Sequence, residues 1–304
     1  MVDDGSTDGT YDLMLQYVPM LEQCGYMVDV VQQENQGQSG ALQTGLAYIK
    51  GEFFTWPDPD DWLHPTSIER MLEVFRSCPD DVAVVRCNAE TVDEATNQRI
   101  GTFVPESTEI SLFPNFFREI LFRRTYFAPV CNLARTRCFL KLNPERSIFV
   151  RKDAGQNWQI MLPLSYTYGV MQMHEVLCSY LVRSSSHSRD QETYEKKVTY
   201  EEMCENVVAE TFRRMYLSKT HWARNACLYS LVIRLRLAVN EGRKNDVRML
   251  LGRMSAQGCG GLYLALMYRL ALCLKRKNDV VTPKSRFNRL LMKLGVPRDI
   301  LFRR

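Results

Sequence analysis

An apolar, strand-like run, Phe53-Phe54-Thr55-Trp56, stops in three carboxylates packed into the next few positions: Asp58, Asp60 and Asp61. Neighbouring carboxylates raise one another's pKa unless a cation takes up the charge. Hard divalent ions want oxygen ligands, and Mg²⁺ usually keeps several from waters and substrate phosphates. Asp58-Pro59-Asp60 at the C-terminal end of a strand therefore reads as a seat for a metal-bound diphosphate. The same residues also suit a solvated turn leading into a helix near Pro65, with the prolines shaping the turn. The flanking sequence has to decide.

Residues 1–10 read as the end of a strand breaking into a Gly-rich turn, with Thr10 placed to cap a helix over residues 11–24. Leu13, Met14, Tyr17, Val18 and Leu21 recur there at helical spacing. Asp4, Ser6, Asp8 and Gly9 fit the first half of a calcium loop, but Leu15 stands where its bidentate Glu belongs. Met27–Val31 is a short β-branched strand, followed by the polar loop 35–40, a helix over 41–49 and the strand into Asp58. Strands alternating with helices, with polar loops at strand C-termini, predict an open α/β sheet whose ligand crevice lies at those ends.

Four segments in register carry a resemblance: Val2-Asp3-Asp4-Gly5-Ser6-Thr7-Asp8-Gly9-Thr10, Asn35-x-Gly37 with Gly45, Gly51-Glu52, and Asp58-x-Asp60-Asp61-Trp62-Leu63. Over residues 1–75 the chain resembles the family 2 glycosyltransferases. The resemblance implies a GT-A fold (Rossmann-like, of the nucleotide-diphospho-sugar transferase type) with a mixed sheet flanked by helices. It implies a nucleotide-diphosphate sugar donor, usually UDP-linked, with Mn²⁺ or Mg²⁺ on its diphosphate through an Asp-x-Asp motif. It also implies transfer of a hexosyl or N-acetylhexosaminyl unit, with inversion, to a glycan or lipid-linked acceptor. Bacterial surface polysaccharide synthesis is the expected setting. Carried over, Asp3 and Asp4 contact the nucleoside, Asn35 and Gly37 line the donor pocket, Asp58 lies near ribose and diphosphate, and Asp60 is the metal ligand. A metal there acts as a Lewis acid and template for the leaving diphosphate.

Several departures qualify this picture. Leu42-Gln43 stand where relatives often carry Arg-Asn. Family members normally open with an earlier strand and helix, so the chain is expected to begin inside the second strand, with a gap between the strands of Val2 and Phe53. At Gly155-Gln156-Asn157-Trp158 many members have an acidic pair whose Asp is the general base; neither amide here accepts a proton at neutral pH. Asp153 is the nearest replacement, and equally a helix cap. Arg183, with His187 and Arg189, lies in an Arg-x-x-Ser-x-Ser segment that often approaches the diphosphate. The alternative to a transferase is a degenerate, non-catalytic member that at most binds nucleotide.

Farther along, helices are expected over 66–75 and 113–122, the latter with its Phe rings in the core. A strand is expected over 82–87, a hairpin over 88–104, and closing strands over 166–170 and 176–182. From Lys196 strand signals vanish, which predicts a GT-A domain over 1–195 and a helical region over 196–304. Beyond Leu262, Lys and Arg face only Asp279 and Asp299. Such a stretch suits an anionic membrane surface, or equally a solvated basic tail.

The net charge of +4 is too small to imply nucleic acid. Ten scattered Cys without a C-x-x-C pair argue against zinc and for reduced thiols in a cytoplasm. The expected location is cytoplasmic, with peripheral contact to the inner face of the membrane.

Overall fold

The computed structural model describes residues 1–183 and 193–258. The chain forms two compact units, Met1–Ser186 and His187–Arg304. Unit one begins with strand β1 (Val2–Asp3), helix α1 (Thr10–Gln23), β2 (Val31–Gln32), α2 (Gln38–Ala47), β3 (Phe53–Phe54), β4 (Trp62–Leu63) and α3 (Ser67–Ser77). It continues through β5 (Val82–Asp93), β6 (Arg99–Thr102), β7 (Ile110–Leu112), α4 (Phe116–Leu121), a 3₁₀ turn at Pro129–Cys131, and β8 (Asn132–Arg135). It closes with α5 (Thr136–Leu142), α6 (Asn157–Thr167) and β9 (Gly169–Val182).

The main sheet runs β3-β8-β5-β9-β4, with β6 on β5 and β7 on β9. Its two long strands, β5 and β9, are parallel, while β8 runs antiparallel to β5 and β4 antiparallel to β9. A mixed sheet flanked by helices is the α/β architecture expected of a GT-A domain. The core lies where α3 (Met71, Val74, Phe75) meets the inner face of β5 and β9. Helix α3 forms because Ile68, Met71, Leu72 and Phe75 fall on one stripe. Its start is tied to the sheet by Ser67, whose hydroxyl reaches the carbonyls of His64 (2.6 Å) and Leu177.

Strands β1 and β2 form a parallel pair of their own, Val2 opposite Val31 and Asp3 opposite Gln32. Strand β3 pairs only with β8. Among the described residues no strand joins Val2 to Phe53, so each presents an open edge. Helix α1 buries none of its residues, and Leu13, Leu15, Tyr17 and Met20 of its apolar positions are exposed.

Several local expectations are corrected. The two closing strands are one, β9, and residues up to Thr167 belong to α6. An apolar run in a helix carrying an internal proline, Pro163, is hard to tell from a buried strand. Gly9, in the left-handed conformation, precedes α1, and Asp8 rather than Thr10 supplies the acceptor, taking the Thr10 N–H at 3.2 Å. The strand expected over 27–31 is only Val31–Gln32, with Met27 exposed. The hairpin forms as β5 and β6, with Glu90 opposite Thr102. Phe116 and Phe117 are buried in α4.

Unit two holds α7 (Tyr194–Arg214), α8 (His221–Asn240) and α9 (Lys244–Ala256). They pack through Val207 and Phe212, Leu228, Leu231 and Leu235, and Leu250 and Met254. Arg234, 1% exposed, lies among them and pairs with Glu202 (2.7 Å) and Glu205. The basic stretch beyond Leu262, His187 and Arg189 lie outside the described residues. Among the described residues no helix is long and apolar enough to cross a membrane.

Candidate active site

The acidic loop after β3 is desolvated to different degrees at its three carboxylates. Asp58 is held up above the ordinary carboxylate range by burial; the Gln156 side chain opposes this by donating from Nε2 to Asp58 Oδ1 at 2.8 Å. Asp60 pairs with the Arg183 guanidinium at 3.1 Å, and Arg183 also reaches Glu94 at 3.6 Å. Asp61 accepts the Leu181 N–H on Oδ1 at 3.0 Å, while its Oδ2 is buried without a hydrogen-bond partner. Burial pushes Asp61 up to about 7, and the neighbouring Asp60 and Asp58 add to the shift.

A second group sits at the C-terminal ends of β1 and β2. Asp3, 1% exposed, accepts from the Ser6 N–H (3.4 Å) and from Gln32 Nε2 (3.1 Å). Hydrogen bonding from Ser6 holds its carboxyl below the usual range. Asp4 Oδ1 accepts from Gln33 Nε2 at 2.7 Å and from the Gln36 N–H at 2.9 Å. The loop of Asp4 is thereby bonded to the loop of Asn35. Gly5, at φ +76°, lies so close that a Cβ would stand 2.9 Å from Asn35 N.

Gly37 joins this group to a third. It is in a positive-φ conformation (+78°), and a Cβ there would stand 2.1 Å from the Lys152 carbonyl oxygen. Only glycine lets the two backbones meet. Ser39 fixes the same contact two residues on: its hydroxyl donates to Arg151 O and accepts from Arg151 N–H, both at 2.9 Å. Asp153 follows directly, clamped by Arg151 at 2.5 and 2.9 Å. That guanidinium holds the Asp153 carboxyl below the usual range. The segment then enters α6, where Gln156 reaches Asp58 and Asn157 Oδ1 accepts from Trp56 Nε1 at 3.3 Å.

The predicted residues thus form one chain of contacts. Asp3 and Asp4 lead through Gln36 and Gly37 to residues 151–156, these to Asp58, and the acidic loop to Arg183. Asp153 does not cap α6: Gln156 precedes that helix, with no side-chain cap hydrogen bond there. Sequence reasoning passed over Gln156 as a partner of Asp58, and Asp61 as the carboxylate with a buried, partnerless oxygen. The first had no signal, because the contact spans 98 residues of sequence. The second had one, its place in the acidic run.

The three carboxylates offer oxygens of the type a hard divalent ion takes, although they are not gathered as a ligand cluster in this structure. A buried carboxylate oxygen without a partner, and two carboxyls raised by burial, are the state a cation relieves. Asp58, Asp60 and Asp61 offer the oxygens, and Arg183 stands on Asp60 as a counter-charge.

Fold and site together define an α/β protein with an acidic loop at the end of β3, bonded to the segment that enters α6. Residues 1–139 match the family model described as Glycosyl transferase family 2. A glycosyltransferase of Nostoc sp. is 35% identical over 105 residues, 32% of this chain and 31% of the relative. An uncharacterized glycosyltransferase of Rickettsia typhi is 29% identical over 119 residues, 38% of this chain and 35% of its own. The matches span about a third of these relatives' length. Among solved structures, S. aureus TarS 1–349 aligns over 92% of this chain and 84% of its own, at 14% identity and a TM-score of 0.47. The Pyrobaculum calidifontis mannosyltransferase PcManGT, solved with GDP-Man and Mn²⁺, aligns over 98% and 74% at 14% identity and a TM-score of 0.46.

Proposed function

We propose that the chain transfers a hexosyl or N-acetylhexosaminyl unit from a nucleotide-diphosphate sugar, UDP-linked, to a glycan or lipid-linked acceptor with inversion. The observation that carries the reading is the buried, partnerless Oδ2 of Asp61 beside Asp58 and Asp60. It lies within the segment that matches the family 2 model, and Gln156 ties its loop to the segment that also meets Gly37 and Ser39. Asp3 and Asp4 are assigned to the nucleoside, and Asn35 and Gly37 to the wall of the donor pocket. Asp58 and Asp60 are assigned to a Mn²⁺ or Mg²⁺ ion. That ion, when bound, neutralises the charge growing on the leaving diphosphate. Arg183, paired with Asp60 at the acidic loop, is assigned to the same phosphates.

Asp153 is the proposed base. Its clamp by Arg151 keeps it ionised, and so able to accept the acceptor's proton, at the cost of basicity. A second reading, a nucleotide-binding member without turnover, is favoured by one observation: Gln156, aligned with the usual acidic pair, is engaged by Asp58.

A panel of UDP-sugars, incubated with the protein, Mn²⁺ and glycan or lipid-linked acceptors, separates the two. The transferase reading expects release of UDP with transfer from at least one donor, abolished in Asp60→Ala. UDP binding without release from any donor supports the second reading.

A further inference from the structure

Beneath the acidic loop three thiols meet in the core. Cys87 on β5, Cys131 at the end of the 3₁₀ turn and Cys178 on β9 are each fully buried. Cys178 Sγ lies 3.4 Å from Cys131 Sγ and 3.6 Å from Cys87 Sγ, and all three sulfurs lie within 4.8 Å of one another. With metal–sulfur bonds of about 2.3 Å, as in zinc thiolates, three sulfurs placed trigonally stand roughly 4 Å apart. Two of the spacings, 3.4 and 3.6 Å, fall somewhat below that value, and none exceeds 4.8 Å.

Charge supplies an independent observation. Arg86, next to Cys87 in the chain, is 1% exposed and has no carboxylate partner among the described residues. Its guanidinium donates to Asn132 Oδ1 (2.9 Å), Thr125 Oγ1 (3.2 Å) and the Tyr126 carbonyl (2.9 Å), and stacks on Tyr126 at 4.1 Å. A buried, unbalanced cation favours a compensating anion in the same interior.

We propose that Cys87, Cys131 and Cys178 form a buried trigonal site for one soft, thiophilic cation, monovalent copper. Soft thiolates select such ions, whereas structural zinc demands a fourth ligand that the cluster does not contain. All three thiols lose their protons to solvent as three copper–thiolate bonds form. Three thiolates and Cu⁺ leave two negative charges, of which Arg86 offsets one. The bound ion would cross-link β5, β9 and the turn before β8. With no sulfur open to solvent, the ion enters while the chain is open, so loading belongs to folding.

The test refolds the full chain anaerobically with reductant and Cu⁺, then challenges it with bathocuproine disulfonate. One equivalent should be retained, Cys87, Cys131 and Cys178 should resist alkylation under denaturing conditions while Cys24 reacts, and the thermal midpoint should rise. Cys178→Ser should lose roughly 100-fold or more in Cu⁺ affinity; Cys24→Ser, at an exposed position, should lose none. Cys131→Ala serves as second variant should Cys178→Ser not fold. Folded wild-type protein that yields its copper as readily as Cys178→Ser or Cys131→Ala, or that protects other cysteines, overturns the proposal. A Cys131–Cys178 disulfide in place of bound copper under these reducing conditions overturns it as well.

Discussion

Gln156 donates a hydrogen bond from its side-chain amide to Asp58 at 2.8 Å. An amide in this position satisfies a desolvated carboxylate that a second acid would repel. Gln156→Glu should therefore lower the stability of the metal-free protein by about 1–3 kcal/mol, through a lost hydrogen bond and like-charge contact. Mn²⁺ should restore much of it. Chemical denaturation with and without Mn²⁺ reads both effects, and a variant indifferent to Mn²⁺ speaks against a cation at this loop.

The Arg151 clamp sets the protonation of Asp153. Because its folded-state pKa is depressed, Asp153 stays ionised as pH falls below the ordinary carboxylate range. Arg151→Ala removes the cause, so the acidic limb of kcat should move to higher pH. Asp153→Asn should cost about 10²–10⁴ in kcat, the usual worth of a general base, with donor affinity nearly unchanged. Near-normal turnover in Asp153→Asn would return that carboxylate to a purely structural pairing with Arg151.

Gly37 is a backbone requirement. Gly37→Ala must place a Cβ against the Lys152 carbonyl in a left-handed conformation, which should cost roughly 2 kcal/mol or more. The loop carrying Asn35 and the segment carrying Asp153 should loosen together. Hydrogen exchange at residues 35–40 and 151–155 checks this; protection lost on one side alone would contradict the coupling.

In the helical unit, Arg234 bridges Glu202 and Glu205 while almost completely buried. Truncation leaves Glu205, itself mostly buried, without that guanidinium. Arg234→Ala should destabilise by about 3–5 kcal/mol, read by denaturant unfolding followed in the helical signal.

What was legible in the sequence was local. The acidic run 58–61 marked the candidate site, and Gly37 a close approach, which the structure directs to the Lys152 backbone; both signals lie within a few residues. Helices with a clean stripe, such as α3, declared themselves by spacing. The merging of Tyr166–Val170 with Val176–Val182 was not legible, since Leu162 to Tyr168 gives no period that separates a buried helix end from a strand. Nor were the Gln156–Asp58 bond and the Cys87–Cys131–Cys178 cluster. Those contacts join segments 47 to 98 residues apart, and no spacing rule reaches across a sheet's folding. Helix α1 shows the converse: its apolar positions implied burial, and the structure leaves them exposed.

The central claim is that the acidic loop holds a cation which in turn holds the donor's diphosphate. Calorimetry of UDP binding to the full chain, with Mn²⁺ and with chelator, tests it most directly. The account predicts metal-dependent binding that weakens by about an order of magnitude or more in Asp60→Ala, a loss of roughly 1.4 kcal/mol or more. UDP affinity that is the same with and without metal, and the same in Asp60→Ala, would contradict it.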